Sequence, residues 1–270
     1  MKFKIGFTAD SLAENVIVPV NHQQEKTMPR KSVVDIHFQN FHKVLSYYND
    51  QFDLQCGDLV YVEGKLEGQI GCVVSVNYNF KIRRSDYKRV ISVADTNVSG
   101  EFFMSESMFI TFDRNTLPCS KVVTWFKAPS NDEFVTGGDN TVFALDDISS
   151  MDVSSEIAQR GYDYYMNNKV RYLCIDGTKG YAIVEGSNNY EVEFEYNNRD
   201  ISNLICSCFC SYNCKHEVAT MLQLKETLEI IEKNYADKFK ESNYFSAVNK
   251  ATMFSYVVGR KSNGRISYNT

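Results

Sequence analysis

Residues 170–196, VRYLCIDGTKGYAIVEGSNNYEVEFEY, hold three apolar runs separated by short turn signals. Val170–Ile175, Gly180–Glu185 and Tyr190–Tyr196 each have the length of a strand. Asp176-Gly177-Thr178 between the first two suits a tight hairpin, and Gly186–Asn189 joins the second pair. Side chains alternate along a strand, so Tyr190, Val192, Phe194 and Tyr196 share one face. Glu191, Glu193 and Glu195 share the other and read as a solvated surface. The pattern predicts an antiparallel meander with one packed and one wet face.

Upstream of the meander, Ser154–Asn167 (SSEIAQRGYDYYMN) reads as a short helix carrying Ile157, Tyr164 and Tyr165. Gly161 inside it costs roughly 1 kcal/mol of helix propensity, so a packing reason is expected. Asp146–Asp152 is polar and linker-like. Before it, VDIHF (34–38), LVYVEG (59–64) and IGCVVSV (70–76) alternate apolar and polar residues, the last two flanking the turn-prone Gly64–Gly68. FFMSESMFITF (102–112), KVVTWF (121–126) and Val142–Leu145 are further strand candidates, and Ser130–Asp139 is the clearest loop. Short strands with turn signals every ~8–12 residues predict a small barrel or sandwich.

Downstream, Met221, Leu224, Leu228, Ile231 and Tyr235 recur at spacings of three and four residues. That is one helical stripe, read as core. The chain beyond Asn234 carries Lys238, Lys240, Lys250, Arg260, Lys261 and Arg265 against Asp237 and Glu241.

The 270 residues carry 29 basic and 34 acidic side chains, a net charge of −5. Neither half is basic, so the charge gives no global support to nucleic-acid binding, and any such contact needs a local patch. No apolar run approaches the ~20 residues of a membrane helix. The N-terminus is interrupted by Asp10 and Glu14 and lacks a signal core. The expected protein is soluble and cytoplasmic, with no membrane partner and no small-molecule substrate evident.

Of the eight cysteines, Cys56, Cys72, Cys119 and Cys174 are scattered. Cys206, Cys208, Cys210 and Cys214 fall in one nine-residue window, followed by His216. A disulfide scaffold would spread its cysteines to close loops, so this cluster points to a metal. Zn²⁺ takes four ligands in a tetrahedron. Cys206 and Cys208 on an extended segment place both thiolates on one side. Cys214 and His216 at the start of a helix can deliver the other two, and the helix N-terminus favours a thiolate there. A redox dithiol would need a thioredoxin-like βαβ context, which is absent. Cys206, Cys208, Cys214 and His216 are the favoured ligands, with Cys210 a neighbour. A four-cysteine site that releases His216 is the alternative. Four protein ligands close the site, which makes the zinc structural.

At these residues the chain resembles the SWIM-type zinc finger, C-x-C followed by C-x-H and an apolar helix. The resemblance extends upstream through Arg160–Tyr165, Lys169-Val170, Val184–Ser187 and Tyr190–Val192, which look like the segment preceding the finger in bacterial proteins. Some of those proteins are fused to Swi/Snf-type helicases. It covers roughly residues 154–230. It implies a zinc-stabilised ββα-like unit used to bind DNA or proteins. The chain carries no Walker motif and has no room for a helicase.

The expected fold is therefore α+β. Residues 1–148 form a β-rich domain, small barrel or sandwich. Residues 149–235 hold a helix, a three-stranded antiparallel meander, a zinc knuckle and a long helix. Residues 236–270 form a basic tail or extra helix. The expected function is a non-enzymatic zinc-binding module that binds DNA or a protein, as an accessory subunit of a larger DNA-processing complex. Candidate nucleic-acid contacts are Lys215, Arg199, Lys225, the cluster Arg83, Arg84, Lys88 and Arg89, and the tail cations Arg260, Lys261 and Arg265. A pure protein adaptor is the alternative. An enzyme is the third reading. His22, His37 and His42 with Asp35 and Asp58 form no catalytic spacing, and Cys119 is a nucleophile only in the loosest sense.

Overall fold

A computed structural model of the chain describes residues 2–5, 28–129, 135–137, 141–210, 212–258 and 266–268. His22, most of the loop expected at Ser130–Asp139, and the tail cations Arg260, Lys261 and Arg265 lie outside the described residues. Among the described residues, two antiparallel sheets and five α-helices make a mixed α+β fold. Among the described residues no helix is long and apolar enough to cross a membrane.

The smaller sheet contains β2 (Ser32–Phe38), β3 (Lys43–Asn49), β4 (Leu59–Val62), β5 (Gly71–Asn77) and β6 (Val90–Ala94), in the order β3-β2-β5-β4-β6. The alternation read in VDIHF is real: Val34, Ile36 and Phe38 point into a core shared with Val60, Val62, Val73 and Val90. The sheet is not a barrel, which corrects one of the two expected architectures. Its edge strands touch through one bridge, where the Tyr48 N–H donates to the Lys88 carbonyl at 2.9 Å. At the exit of β6 a helix packs instead of a closing strand. Trp125 Nε1 donates to the Asp95 carbonyl at 2.6 Å and Lys121 Nζ to the Asn97 carbonyl at 2.8 Å.

That helix is α1 (Cys119–Phe126), which corrects the strand expected at residues 121–126. The β-branched run Val122-Val123-Thr124 misled the reading, because β propensity yields to tertiary context. Val122 and Trp125, three residues apart, are fully buried together, a helical period. The single strand expected at residues 102–112 is two, β7 (Gly100–Met104) and β8 (Met108–Thr111), paired as a hairpin.

The larger sheet adds β1 (Lys2–Ile5), β9 (Val142–Ala144), β10 (Val170–Asp176), β11 (Lys179–Glu185), β12 (Asn189–Asn197), β13 (Asp200–Cys206), β14 (Tyr244–Asn249) and β15 (Ile266–Tyr268). Its order is β15-β1-β7-β8-β14-β10-β11-β12-β13-β9. The predicted meander β10-β11-β12 lies within it and continues into a fourth strand, β13. Gly177 has φ +65° in the hairpin between Asp176 and Lys179, a conformation glycine adopts without strain.

The boundary expected at residue 148 does not separate two sheets. β8, from before it, and β10, from after it, both pair with β14. The region beyond residue 235 is likewise more than a tail or one helix. Its α4 (Ala236–Ser242) leads into β14, whose six residues are all buried in the middle of the sheet. A strand covered on both faces loses the polar alternation that marks a half-exposed one, so YFSAVN carried no period to read. Asp146–Asp152, expected as a linker, holds buried Leu145 beside it and packs as a 3₁₀ segment at Leu145–Ser150.

Two helices lie over one face of the large sheet, the later one packed on the strands and the earlier one on its partner helix. They are α2 (Ser155–Met166) and α3 (Lys215–Asn234), as predicted for both segments. Met221, Leu224, Leu228 and Ile231 are buried against Val184, Val192, Phe194 and Ile201. The opposite face carries Tyr172, Cys174, Ile183 and Val248, packed on α1 and on Met253 of α5 (Lys250–Met253). In β10, Leu173 and Ile175 therefore face α3 while Tyr172 and Cys174 face α1.

Candidate metal centre

The end of β13 and the start of α3 meet beside β12. Cys206 is paired with Val192, and beyond the strand the Ser207 N–H still donates to the Glu191 carbonyl at 2.8 Å. Cys206 thus ends the strand, and the chain bends over residues 207–209, so Cys208 does not lie on the extended segment expected for the pair. Cys214, six residues after Cys208, occupies the N-cap of α3, with extended backbone (φ −118°, ψ 169°). A capping box fixes it: the Cys214 N–H donates to Glu217 Oε2 at 2.6 Å, and the Cys214 side chain accepts from the Glu217 N–H. Glu217 is buried and so anchors the helix start, beyond complementing its dipole.

These elements bring together one ligand atom each from Cys206, Cys208, Cys214 and His216, all within 4.8 Å of one another. His216 Nδ1 lies 3.6 Å from Cys206 Sγ and 3.6 Å from Cys214 Sγ. A tetrahedral ion with metal–sulfur bonds of ~2.3 Å and a metal–nitrogen bond of ~2.0–2.1 Å has a sulfur–nitrogen edge of about 3.5 Å. The cluster therefore fits a metal ion bound through Nδ1.

Electrostatics point the same way. Burial, followed by the positive charges of Lys215 and Arg160, pushes the His216 imidazole down to about 4, so it is neutral and keeps a lone pair. Burial pushes the Cys208 thiol up to about 12. The hydrogen bond with Cys206, then burial, holds the Cys214 thiol well above the ordinary range. The Cys208 and Cys214 thiols resist ionisation until a cation compensates them, and a metal ion would supply that charge.

Aromatic rings clamp the histidine. Tyr190 stacks on His216 at 4.2 Å between centroids, and Tyr164 meets it edge-on at 5.4 Å. Gly186 leaves the room for this stack: a Cβ there would lie 2.9 Å from the Tyr190 ring and 3.4 Å from His216 Nε2. The Lys215 ammonium lies 4.5 Å from the Tyr164 ring centroid. The sequence reading missed Tyr164, Tyr190 and Gly186 as parts of this centre. No ligand-type spacing marks them, since α2 and the β11–β12 turn reach His216 only through the fold.

Cys210 is exposed and stands outside the converging set, beside Cys208. A Cys210→Ser variant is therefore expected to retain as much metal as the wild type. Metal analysis that finds the variant depleted would place Cys210 among the ligands.

The candidate nucleic-acid residues do not form one surface. Arg199 is engaged in surface ion pairs, with Nε donating to Asp146 Oδ2 at 2.8 Å and Nη1 to Glu232 Oε1 at 2.7 Å. Lys225 Nζ donates to the Asp146 carbonyl at 3.2 Å. Both tie α3 to the segment before α2. Arg89 pairs with Asp50 at 2.8 Å, and Arg84 caps the Tyr87 carbonyl and lies over the Tyr48 ring. Arg83 and Lys88 are exposed on the small sheet. Lys215 stands beside the metal cluster. Of the predicted wet face of β12, Glu193 and Glu195 are exposed, whereas Glu191 pairs with Lys127 at 2.6 Å and accepts from Tyr181 at 3.0 Å. The Cys119 thiol is half-buried beside Cys174, and that hydrogen bond together with burial raises it far above the range of a reactive thiolate.

No known protein-family profile matches the chain, and no solved structure matches it. The chain is similar to the uncharacterized protein MJ1493 of Methanocaldococcus jannaschii, with 32% identity over 96 residues. The match covers 34% of this chain and 41% of that protein, so it spans less than half of the relative.

Proposed function

We propose that the chain is a non-enzymatic, zinc-clamped binding module of the SWIM type, working as an accessory subunit that contacts DNA or a protein partner. The observation that carries this reading is the closed donor set. Three thiols and one imidazole converge within 4.8 Å, which fills a tetrahedron and leaves no position for a reacting water. Sulfur-rich donors of this kind suit Zn²⁺ over harder cations. A closed site stabilises a shape, and the shape here is the junction of β13, α3 and the loop between the ligand pairs.

A protein partner is favoured as the second reading by the charge pattern. The net charge is −5, and Arg199, Lys225 and Arg89 are already held by internal acceptors. Two measurements on the purified full chain test the proposal. About one zinc per chain is expected, removable by chelation with loss of order around residues 206–216. Less than half an equivalent sinks the structural-metal reading. A mobility-shift titration with nucleic acid at about 50 mM and about 200 mM salt tests the contact, which must weaken with salt if phosphates contribute. The absence of any shift at the lower salt leaves the protein-adaptor reading.

A further inference from the structure

We propose that the loop between the ligand pairs and the cleft beside it bind single-stranded nucleic acid by base stacking. This rests on the binding-module reading and names its ligand class. The first observation is two aromatic rings that the fold does not use. Phe209 is fully exposed and Tyr212 is 83% exposed. Other aromatics of the described large sheet, such as Phe102, Phe245 and Tyr172, are buried. Phe209 directly follows Cys208 and Tyr212 stands two residues before Cys214, so each ring lies next to a ligand that the proposed metal would hold. Rings held out on a clamped frame lose little freedom on binding.

The second observation is the adjoining cleft, of about 1,420 Å³, between the small sheet, the end of α1 and the β11–β12 turn. It exceeds the ~300–1,000 Å³ typical of small-molecule sites, which suits a length of polymer. Phe209, Tyr190 and the half-buried Phe126 line it, as do the side-chain amides of Gln39, Gln69 and Asn188 and the carboxylates of Glu67 and Glu191. Aromatic faces take unstacked bases and amides read their edges. A duplex keeps its bases stacked and offers such rings nothing.

The third observation is charge. Lys215 follows Cys214, and the exposed Arg160 lies close enough to act on His216. Both cations stand by His216, at the ligand that ends the loop, and suit a backbone that crosses a few phosphates there. Two are too few to hold a duplex by phosphate contacts alone. Stacking must then supply most of the affinity, and the salt dependence must be shallow, with a logarithmic slope of about −1.4 for two phosphates on a single strand.

The test is fluorescence anisotropy of the zinc-loaded full chain with fifteen-residue oligo(dT), oligo(rU) and a duplex of the same length. Single strands are expected to bind at least about tenfold more tightly than the duplex. Phe209→Ala and Tyr212→Ala are each expected to weaken single-strand binding about 5- to 150-fold, the range for one lost stacked base, with zinc content unchanged. The ratio of oligo(dT) to oligo(rU) affinity assigns the sugar. Duplex binding equal to or tighter than single-strand binding, insensitive to the double variant, overturns the inference while the DNA-module reading stands. Failure to bind any of the three while zinc is retained overturns it in favour of a protein partner. Failure to hold zinc overturns the module reading itself.

Discussion

A Cys214→Ser variant is expected to lose its metal and about 10–20 °C of thermal stability. Cys214 is buried, 2% exposed, and has two jobs in one side chain. It offers a ligand atom to the cluster, and it caps α3 by accepting the Glu217 N–H. Serine is one of the best N-cap residues, so the substitution preserves the helix start and removes the thiolate alone. Loss of a structural metal belongs with the changes that cost on the order of 4–5 kcal/mol. In a chain of this size each kcal/mol shifts the midpoint by about 2–4 °C. Global unfolding is not expected, because Met221, Leu224, Leu228 and Ile231 hold α3 to the sheet without the metal. The change should be local: far-UV dichroism near wild type, zinc absent by elemental analysis, and new protease sensitivity between residues 206 and 216. A variant that keeps stoichiometric zinc and melts like the wild type would remove Cys214 from the ligand set.

The Cys/His cluster was legible because its signals are local. Cys206-Ser207-Cys208 and Cys214-Lys215-His216 are each three residues long, and the end of β13 and the start of α3 place them side by side. The meander was legible for the same reason, since Gly177 marks its first hairpin and β12 alternates Val192 and Phe194 with Glu193 and Glu195. What stayed hidden depends on partners distant in sequence. β14 is buried on both faces between β8 and β10, so its composition reflects neighbours that are far away in the chain. Val122, Val123 and Thr124 favour a strand by themselves, and only the pocket that receives Trp125 makes them a helix. Arg199 looked like a phosphate contact because a sequence shows a cation without its acceptors. Asp146 and Glu232, which hold it, are 53 and 33 residues away. The aromatic clamp on His216 was hidden likewise, since Tyr164 and Tyr190 come from two different elements.

Gly161→Val is expected to cost about 3 kcal/mol or more and to weaken zinc retention, although it lies outside the ligand set. The sequence posed the question, since a glycine inside α2 forgoes roughly 1 kcal/mol of helix propensity. The structure answers it. α2 crosses α3 at Gly161, where a Cβ would stand 2.5 Å from Val218 Cβ and Cγ1 and 3.1 Å from the Lys215 carbonyl. Those neighbours belong to the first turn of α3, the turn that carries His216. Gly161→Ala gains the propensity but must push that turn away, and overpacking of this kind costs about 1–3 kcal/mol. Valine adds two methyls and the poorer propensity of a β-branched residue. The displaced turn takes His216 Nδ1 away from the two sulfurs, so metal affinity falls together with stability. Thermal melts and a competitive zinc titration on both variants measure the two effects. Val218→Ala should not rescue Gly161→Ala, because alanine keeps the Cβ that is already at 2.5 Å. A rescue would mean that only the Val218 methyls are crowded. A rise in melting temperature for Gly161→Ala would mean that the two helices can separate freely, and that the glycine serves neither the crossing nor the metal.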